Sequence, residues 1–91
     1  DASAMGVLKE LKKHNIDVPK DAGLVGFDNL SISEYFNPAL TTVSRPINEI
    51  GEIATTTLIE RIENKHNKVN YKKKIIFDVE LIIRNSTMKI K

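Results

Sequence analysis

The order of helical and strand-like segments limits this 91-residue chain to a layered α/β architecture. Residues 2–14 carry apolar side chains at helical spacing, and a second apolar stripe of helical period runs from Ile47 to about Asn64. Between them lie two short strand-like runs, Leu24–Phe27 and Ala39–Val43. The first has no polar alternation, which is typical of a strand buried on both faces. The sequence therefore predicts helices layered on a largely parallel sheet.

The last part of the chain predicts a loop and two further strands. Residues 65–74 are polar and basic, which favours a solvated loop, and Lys72–Lys74 are interpreted as its end and not as a nucleic-acid patch. Two β-rich runs follow within residues 75–84, Ile75–Val79 and Leu81–Arg84. Because they come late, after a long loop, we expect them to form a sheet separate from the first.

Helix starts can be placed from capping residues. Asp1 is a plausible N-cap for the first helix. Ser44 stands where an N-cap for the second helix is expected, with Pro46 in its first turn.

Composition and motifs argue against several classes of function. A net charge of +2 is too small to indicate nucleic-acid binding by itself, and no apolar run is long enough to span a membrane. The chain has no cysteine, and His14 and His66 are far apart, so we expect no metal and no cofactor. The nucleophile-elbow, P-loop, dinucleotide-binding and zinc-protease motifs do not occur, so the sequence gives no support for an enzyme.

Seven short motifs, in order and at consistent spacing, point to one family. They are D-A-S-A-M-G-V-L at 1–8, V-P-K-D at 18–21, V-G-F-D-N at 25–29, P-A-L-T-T-V at 38–43, R-P-I-N-E-I-G at 45–51, E-R-I at 60–62 and E-L-I-I-R-N-S-T at 80–87. Together they cover nearly the whole chain. The chain resembles the C-terminal part of the ligand-binding domain of the lactose-repressor (LacI/GalR) family of bacterial transcription regulators.

The resemblance implies a fold like that of the type I periplasmic sugar-binding proteins, with two α/β lobes and a small-molecule cleft between them. Residues 1–91 would be the C-terminal portion of the effector-binding and dimerisation domain, without the helix-turn-helix and the first lobe. The implied function is a cytoplasmic, ligand-responsive repressor that forms a homodimer or higher homo-oligomer and whose effector is a sugar or nucleoside-like molecule. Operator DNA would be bound only through the N-terminal domain, so we expect negligible operator affinity here. The alternative is a periplasmic or extracellular sugar-binding protein of the same fold.

Asp28 and Arg45 are the candidate effector-binding residues. Each follows a predicted strand, and ligands of open α/β sheets bind outside the carboxyl ends of strands. A carboxylate at Asp28 suits sugar hydroxyls, and the resemblance implies that role; the alternative is that Asp28 orders the loop after it as an Asx-turn. Arg45 either reaches the cleft or pairs with Glu49, four residues on, and the second interpretation is favoured.

Tyr35 and Phe36 are candidate interface residues. Adjacent aromatic side chains in an irregular segment cannot easily enter one core together, so one of them is expected to face a partner. The alternative is that Phe36 fills a small local core. The resemblance implies a subunit interface here, and a structural role for Arg84, Ser86 and Thr87.

Assembly of the isolated chain follows from the same resemblance. In the family, the segment matching residues 75–84 leans on strands that this chain lacks, so its apolar side chains should be exposed: Ile76, Val79, Leu81 and Ile83. Exposed apolar strands and unpaired strand edges tend to pair with another chain, so we expect the isolated 91-residue chain to self-associate.

Overall fold

A computed structural model describes residues 1–64 and 72–88. Its elements are helices α1 (Ala2–Lys13) and α2 (Ile47–Glu63), strands β1 (Val25–Phe27), β2 (Thr41–Ser44) and β3 (Glu80–Ile82), and a 3-10 helix at Ser31–Tyr35. The α/β class and both helices are confirmed. Within the described part of the chain, no helix is long and apolar enough to cross a membrane.

The three strands form one mixed sheet in the order β1-β2-β3. Strands β1 and β2 are parallel, with Phe27 opposite Val43. Strand β3 is antiparallel to β2, with Leu81 opposite Val43. The expected largely parallel sheet is therefore only half parallel, and the expectation of a separate terminal sheet was wrong.

Of the two terminal strands predicted within residues 75–84, only β3 forms. Strand β2 offers three residues, Thr42–Ser44, to pair with Glu80–Ile82. The preceding Ile75–Val79 is not a strand. Instead, Ile75 and Phe77 line an open groove of about 360 Å³ beside α2. The β-rich composition of Ile75–Val79 was not enough to make it a strand, because a strand also needs a partner for its backbone N–H and C=O groups.

The chain divides into two compact units. The first contains Asp1–Arg45 and the segment from Val79 onward, and therefore holds the sheet. The second is Pro46–Asp78, where α2 has no buried residue. Its apolar residues are exposed: Ile47, Ile53, Leu58, Ile59 and Ile62. A helix with this much uncovered apolar surface needs a further packing partner.

The interior of the first unit depends on hydrogen bonds as much as on apolar burial. The buried apolar residues of the described chain are Ala4, Leu8 and Leu40, whereas the buried polar residues are four hydroxyl-bearing ones: Ser33, Thr41, Thr42 and Ser86. All four hydroxyls are hydrogen-bonded. Their partners lie far along the chain, so these bonds fix the relative positions of distant segments.

Strand β1 is less buried than its sequence predicts. Val25 and Phe27 are both about half exposed, at 54% and 51%. Among the described strands β1 has one neighbour, β2, so one edge and much of its faces remain open. The prediction of burial on both faces was wrong for these residues.

The predicted caps are only partly confirmed: Asp1 occupies the N-cap position of α1, whereas Ser44 does not cap α2. Asp1 precedes α1 but its side chain makes no capping hydrogen bond. Ser44 is the last residue of β2, and Pro46 occupies the N-cap position of α2. Of the predicted basic loop, residues 65–71 lie outside the described residues, and Lys72–Lys74 are exposed and irregular.

Candidate functional site

Asp28 and Arg45 meet at the carboxyl ends of the two parallel strands. Asp28 directly follows β1, and its backbone N–H donates to the carbonyl oxygen of Val43 (2.9 Å), which continues the β1–β2 pairing. Arg45 directly follows β2. Because the strands are parallel and in register, both side chains leave the sheet at one edge. This is the edge at which open α/β sheets bind ligands.

The two side chains form an ion pair. Arg45 Nε lies 2.8 Å from Asp28 Oδ1, and the guanidinium carbon lies 5.9 Å from the ring centroid of Phe27. Both charged side chains are partly exposed. The favoured pairing of Arg45 with Glu49 was wrong, because α2 begins only at Ile47 and the four-residue rule applies within a helix.

One carboxylate oxygen of Asp28 is buried without a hydrogen bond from the described residues. This is Oδ1, the oxygen beside Arg45. The short Nε–Oδ1 distance is an ionic contact, but the Nε–H bond does not point at the oxygen well enough to be a hydrogen bond. Buried polar atoms without a directed donor are uncommon in folded proteins, so Oδ1 is a candidate acceptor for a ligand donor.

The loop after Asp28 has an uncommon backbone. Asp28 has a φ of 102° and Asn29 a φ of 47°, values that Asp and Asn tolerate better than most residues. Its N–H groups donate elsewhere: Asn29 N–H to Thr42 Oγ1 (3.2 Å) and Leu30 N–H to Asp1 Oδ2 (2.6 Å). These contacts order the loop without the Asp28 carboxylate. The Asx-turn alternative for Asp28 is therefore not supported.

Asp1 is a residue of the site that the sequence did not reveal. Its Oδ2 accepts from Leu30 N–H, its Oδ1 accepts from the Thr42 hydroxyl (2.7 Å), and its backbone nitrogen donates to the Phe27 carbonyl (3.0 Å). One residue thus ties the start of α1 to the ends of both parallel strands. The only local signal was an acidic residue before a helix, which the sequence analysis explained as a cap.

Arg84 supports the same loop from the other side. Its Nη1 donates to Ser33 Oγ and to the Leu40 carbonyl, both at 2.8 Å, and its Nη2 donates to Asn29 Oδ1 at 2.9 Å. Its backbone N–H donates to Thr41 Oγ1 (2.9 Å). Arg84 therefore connects the segment after β3 to the loops after β1 and before β2, as expected for a structural residue.

Ser86 and Thr87 hold the opposite ends of the parallel strands. The Ser86 hydroxyl donates to the Leu24 carbonyl (2.6 Å) and accepts from Thr41 N–H (2.8 Å). The Thr87 hydroxyl lies 2.8 Å from that of Thr41. The R-x-S-T motif is thus a set of cross-strand hydrogen bonds, which agrees with its expected structural role.

The aromatic pair lies on and after the 3-10 helix. Tyr35 is 78% exposed and Phe36 is half-buried. Leu30 and Ile32 are also exposed nearby in the chain. In the part of the chain that the structure describes, neither aromatic side chain has a hydrogen bond or ring contact with Asp28 or Arg45. The structure brings the two charged candidates together and leaves Tyr35 largely exposed.

Residues 1–64 and 72–88 contain no group of three His, Asp or Glu side chains placed to hold a metal ion. The chemistry of the site is that of a carboxylate, a guanidinium and a half-exposed aromatic ring. Such a set can accept and donate hydrogen bonds and can pack against the apolar face of a small ring.

Residues 1–87 match the model of the periplasmic binding protein-like domain family. Among curated proteins, the chain is 36% identical to the transcriptional repressor PurR of Vibrio parahaemolyticus, over 99% of this chain and 26% of that protein. It is also 36% identical to the transcriptional repressor CytR of Escherichia coli K12, over 96% of this chain and 25% of that protein. The chain therefore spans about a quarter of the length of these relatives.

Solved structures that resemble this chain are also transcription regulators. A LacI family transcriptional regulator from Enterococcus faecalis V583, with bound ribose, matches with a TM-score of 0.82 and 33% identity, over 97% of this chain and 32% of that one. A LacI-type regulator from Bifidobacterium animalis matches with a TM-score of 0.81 and 37% identity, over 94% of this chain and 30% of that one. With its α/β fold and a match over nearly its whole length, this chain belongs to the periplasmic binding protein-like domain family and resembles the effector domain of LacI-type regulators.

Proposed function

We propose that this chain is the C-terminal portion of the effector-binding domain of a ligand-responsive transcription repressor. The observation that carries the proposal is the buried Asp28 Oδ1 at the carboxyl ends of two parallel strands, which receives no hydrogen bond from the residues that the structure describes. The effector would be a sugar or sugar derivative that places a hydroxyl donor on this carboxylate. LacI family regulators from Enterococcus faecium and Enterococcus faecalis, similar to this chain, are recorded with bound ribose.

The proposed mechanism is a population shift. An effector that binds one arrangement of the domain more tightly than another favours that arrangement by its difference in binding free energy. In the whole repressor, this shift would place or release the DNA-binding segments. Operator contact belongs to parts outside these 91 residues, and a cytoplasmic location follows from a role on bacterial DNA. The relatives named above are repressors, which favours this function over transport of sugars and over catalysis.

Replacing Asp28 by asparagine should weaken effector binding by roughly 10- to 150-fold, which corresponds to the loss of about 1.5–3 kcal/mol from a charge-assisted hydrogen bond. Asparagine keeps the shape of the side chain and tolerates the positive φ of 102°. Alanine should cause a similar loss but would add backbone strain. Calorimetric titration of the full-length protein with ribose measures the effect.

Operator affinity is the internal control for this variant. Asp28→Asn should leave the affinity of the full-length protein for operator DNA nearly unchanged in the absence of effector. Lys12→Ala removes an exposed charge from α1 and should change neither property. If Asp28→Asn bound ribose as tightly as the wild type, Asp28 would be a structural partner of Arg45 and not an effector ligand.

We further propose that the exposed surface around Tyr35 and Phe36 is a subunit interface of a homodimer. Tyr35, Leu30 and Ile32 give this surface an apolar character, and aromatic residues are enriched at interfaces. Phe36 is half-buried, so Tyr35 is the more accessible of the two aromatic side chains.

The 91-residue chain alone should self-associate at micromolar concentration. The four apolar residues expected to be exposed are indeed exposed: Ile76, Val79, Leu81 and Ile83. Together with the uncovered side of α2, they leave more apolar surface in water than a stable monomer normally has. Sedimentation velocity should therefore give a mass above that of the monomer. Tyr35→Ser should lower the association constant, whereas a sharp monomer with cooperative unfolding would contradict this expectation.

A further inference from the structure

We propose that Arg45 is a displaceable cover on Asp28 Oδ1, which the effector must push aside in order to reach that oxygen. This inference rests on the proposed function for the identity of the incoming ligand. The contact between Arg45 and Asp28 is observed in the structure and does not depend on the proposed function. In this proposal, Arg45 sets the affinity of the site by competing with the ligand.

Arg45 lies where a ligand donor to Asp28 Oδ1 would have to lie. The Asp28 side chain as a whole is 37% exposed, but its Oδ1 is buried and has Arg45 Nε 2.8 Å away. A hydroxyl that donates to Oδ1 needs about the same distance, 2.5–3.0 Å. Because Oδ1 is buried while Arg45 stands beside it, a ligand hydroxyl reaches this oxygen only when Arg45 moves.

Arg45 lies beside Oδ1 without donating a hydrogen bond to it. Its Nε–H is not directed at Oδ1, so the buried oxygen has an ionic neighbour but no hydrogen bond from the described residues. A ligand hydroxyl can rotate its hydrogen toward the oxygen. The exchange of Arg45 for a hydroxyl would thus replace a poorly directed contact with a directed one.

The Arg45 side chain can move away from Asp28 more easily than the Arg84 side chain can leave its own partners. Arg84 is held by three side-chain hydrogen bonds to Ser33, Leu40 and Asn29. The Arg45 side chain is 43% exposed, and its contacts in the described chain are the ion pair with Asp28 and the ring of Phe27. Partly exposed ion pairs are weak, so opening this one costs little.

Displacement would also uncover an apolar surface. Phe27 is about half exposed even with the Arg45 guanidinium 5.9 Å from its ring centroid. Once Arg45 moves away, the face of the ring is available to the C–H groups of a sugar. One movement would then open both the hydrogen-bond acceptor and the apolar face of the site.

The cover can be tested without a ligand, in the full-length protein. Carbodiimide coupling of an amine to carboxylates, followed by peptide mass spectrometry, gives the labelling rate of Asp28. Arg45→Ala should raise this rate above that of the wild type, whereas Lys12→Ala, which removes an exposed charge elsewhere, should not. An unchanged rate in Arg45→Ala would mean that Arg45 does not cover Asp28, and the inference would be wrong whatever ligand the protein takes.

The competition is tested with ribose as the probe. Calorimetry should give a dissociation constant about two- to fivefold lower for Arg45→Ala than for the wild type, the factor that corresponds to a partly exposed ion pair. Combined with Asp28→Asn, the substitution should give no gain. Weaker ribose binding by Arg45→Ala would overturn the cover and make Arg45 a direct ligand contact. Faster labelling of Asp28 with no ribose binding by any variant would uphold the cover and count against the proposed effector.

Discussion

Replacing Arg84 by alanine is expected to lower the free energy of unfolding by about 3–5 kcal/mol, because several polar groups would lose their donor together. The guanidinium donates three hydrogen bonds, to Ser33 Oγ, Leu40 O and Asn29 Oδ1. Ser33 and Leu40 are completely buried, so water cannot easily replace the missing donors. Urea unfolding of the full-length protein, followed by circular dichroism, measures the loss through the shift of the midpoint.

A lysine at position 84 separates charge from geometry. One ammonium group cannot reproduce the planar fork that reaches both Leu40 and Asn29, so Arg84→Lys should still lose about 2 kcal/mol. Lys12→Ala removes a positive charge from an exposed position on α1 and should stay within about 0.5 kcal/mol of the wild type. Full stability of Arg84→Ala would contradict the structural role inferred from its hydrogen bonds.

We expect Arg84→Ala to weaken effector binding as well, because it removes the hydrogen bond between Arg84 and Asn29. Arg84 reaches Asn29, which directly follows Asp28 in the loop with positive φ values. Loosening this loop would let the Asp28 carboxylate sample other positions, so the variant should also bind effector more weakly. Such an effect would be one of positioning, since Arg84 bonds to the loop and not to the ion pair.

The elements that sequence alone predicted well are those with a local signature. The apolar period places α1 and α2 to within about one residue, because each helix makes its backbone hydrogen bonds within itself. Strands β1 and β2 were found with ends shifted by one or two residues. The predicted strand Ile75–Val79 failed because its apolar pattern says nothing about whether a partner strand is available.

The candidate site was predictable in its location and not in its contacts. Asp28 and Arg45 both follow apolar runs, so chain order alone puts them at the ends of strands. Their ion pair joins residues 17 positions apart (28 to 45), and no local spacing encodes it. The spacing rule instead favoured Glu49, which would be valid only if Arg45 belonged to the helix.

The contacts of Asp1 and Arg84, which support the site, were even harder to predict from the sequence. Asp1 bonds to Leu30 and Thr42, which are 29 and 41 residues away, and Arg84 bonds to Asn29 across 55 residues. Polar side chains commonly bond to nearby backbone, so a single sequence favours a local explanation such as a helix cap. Only the folded arrangement reveals that these two residues are shared by several segments.

Gly26→Ala is expected to destabilise the protein by about 2–4 kcal/mol, although glycine normally weakens a strand. Gly26 has no positive φ, so its requirement is spatial. A Cβ there would lie 2.7 Å from Leu40 Cδ2 and closer still to the Asp1 carboxylate. Leu40 is completely buried and has little room to move. The Asp1 carboxylate would have to leave, which would break its hydrogen bonds to Leu30 N–H and the Thr42 hydroxyl.

Two other glycines make matched controls, because an added methyl group at Gly6 or at Gly51 meets no atom of another described segment within 4 Å. Both lie inside helices, so alanine there should stabilise the protein by about 0.5–1 kcal/mol. The same substitution should therefore have opposite signs at Gly26 and at the two helical positions, as measured by urea midpoints in the full-length protein. If Gly26→Ala were neutral, the Asp1 carboxylate would be dispensable for the arrangement of the two parallel strand ends. Because that carboxylate also holds Leu30 in the loop that follows Asp28, the expected loss of stability should be accompanied by weaker effector binding.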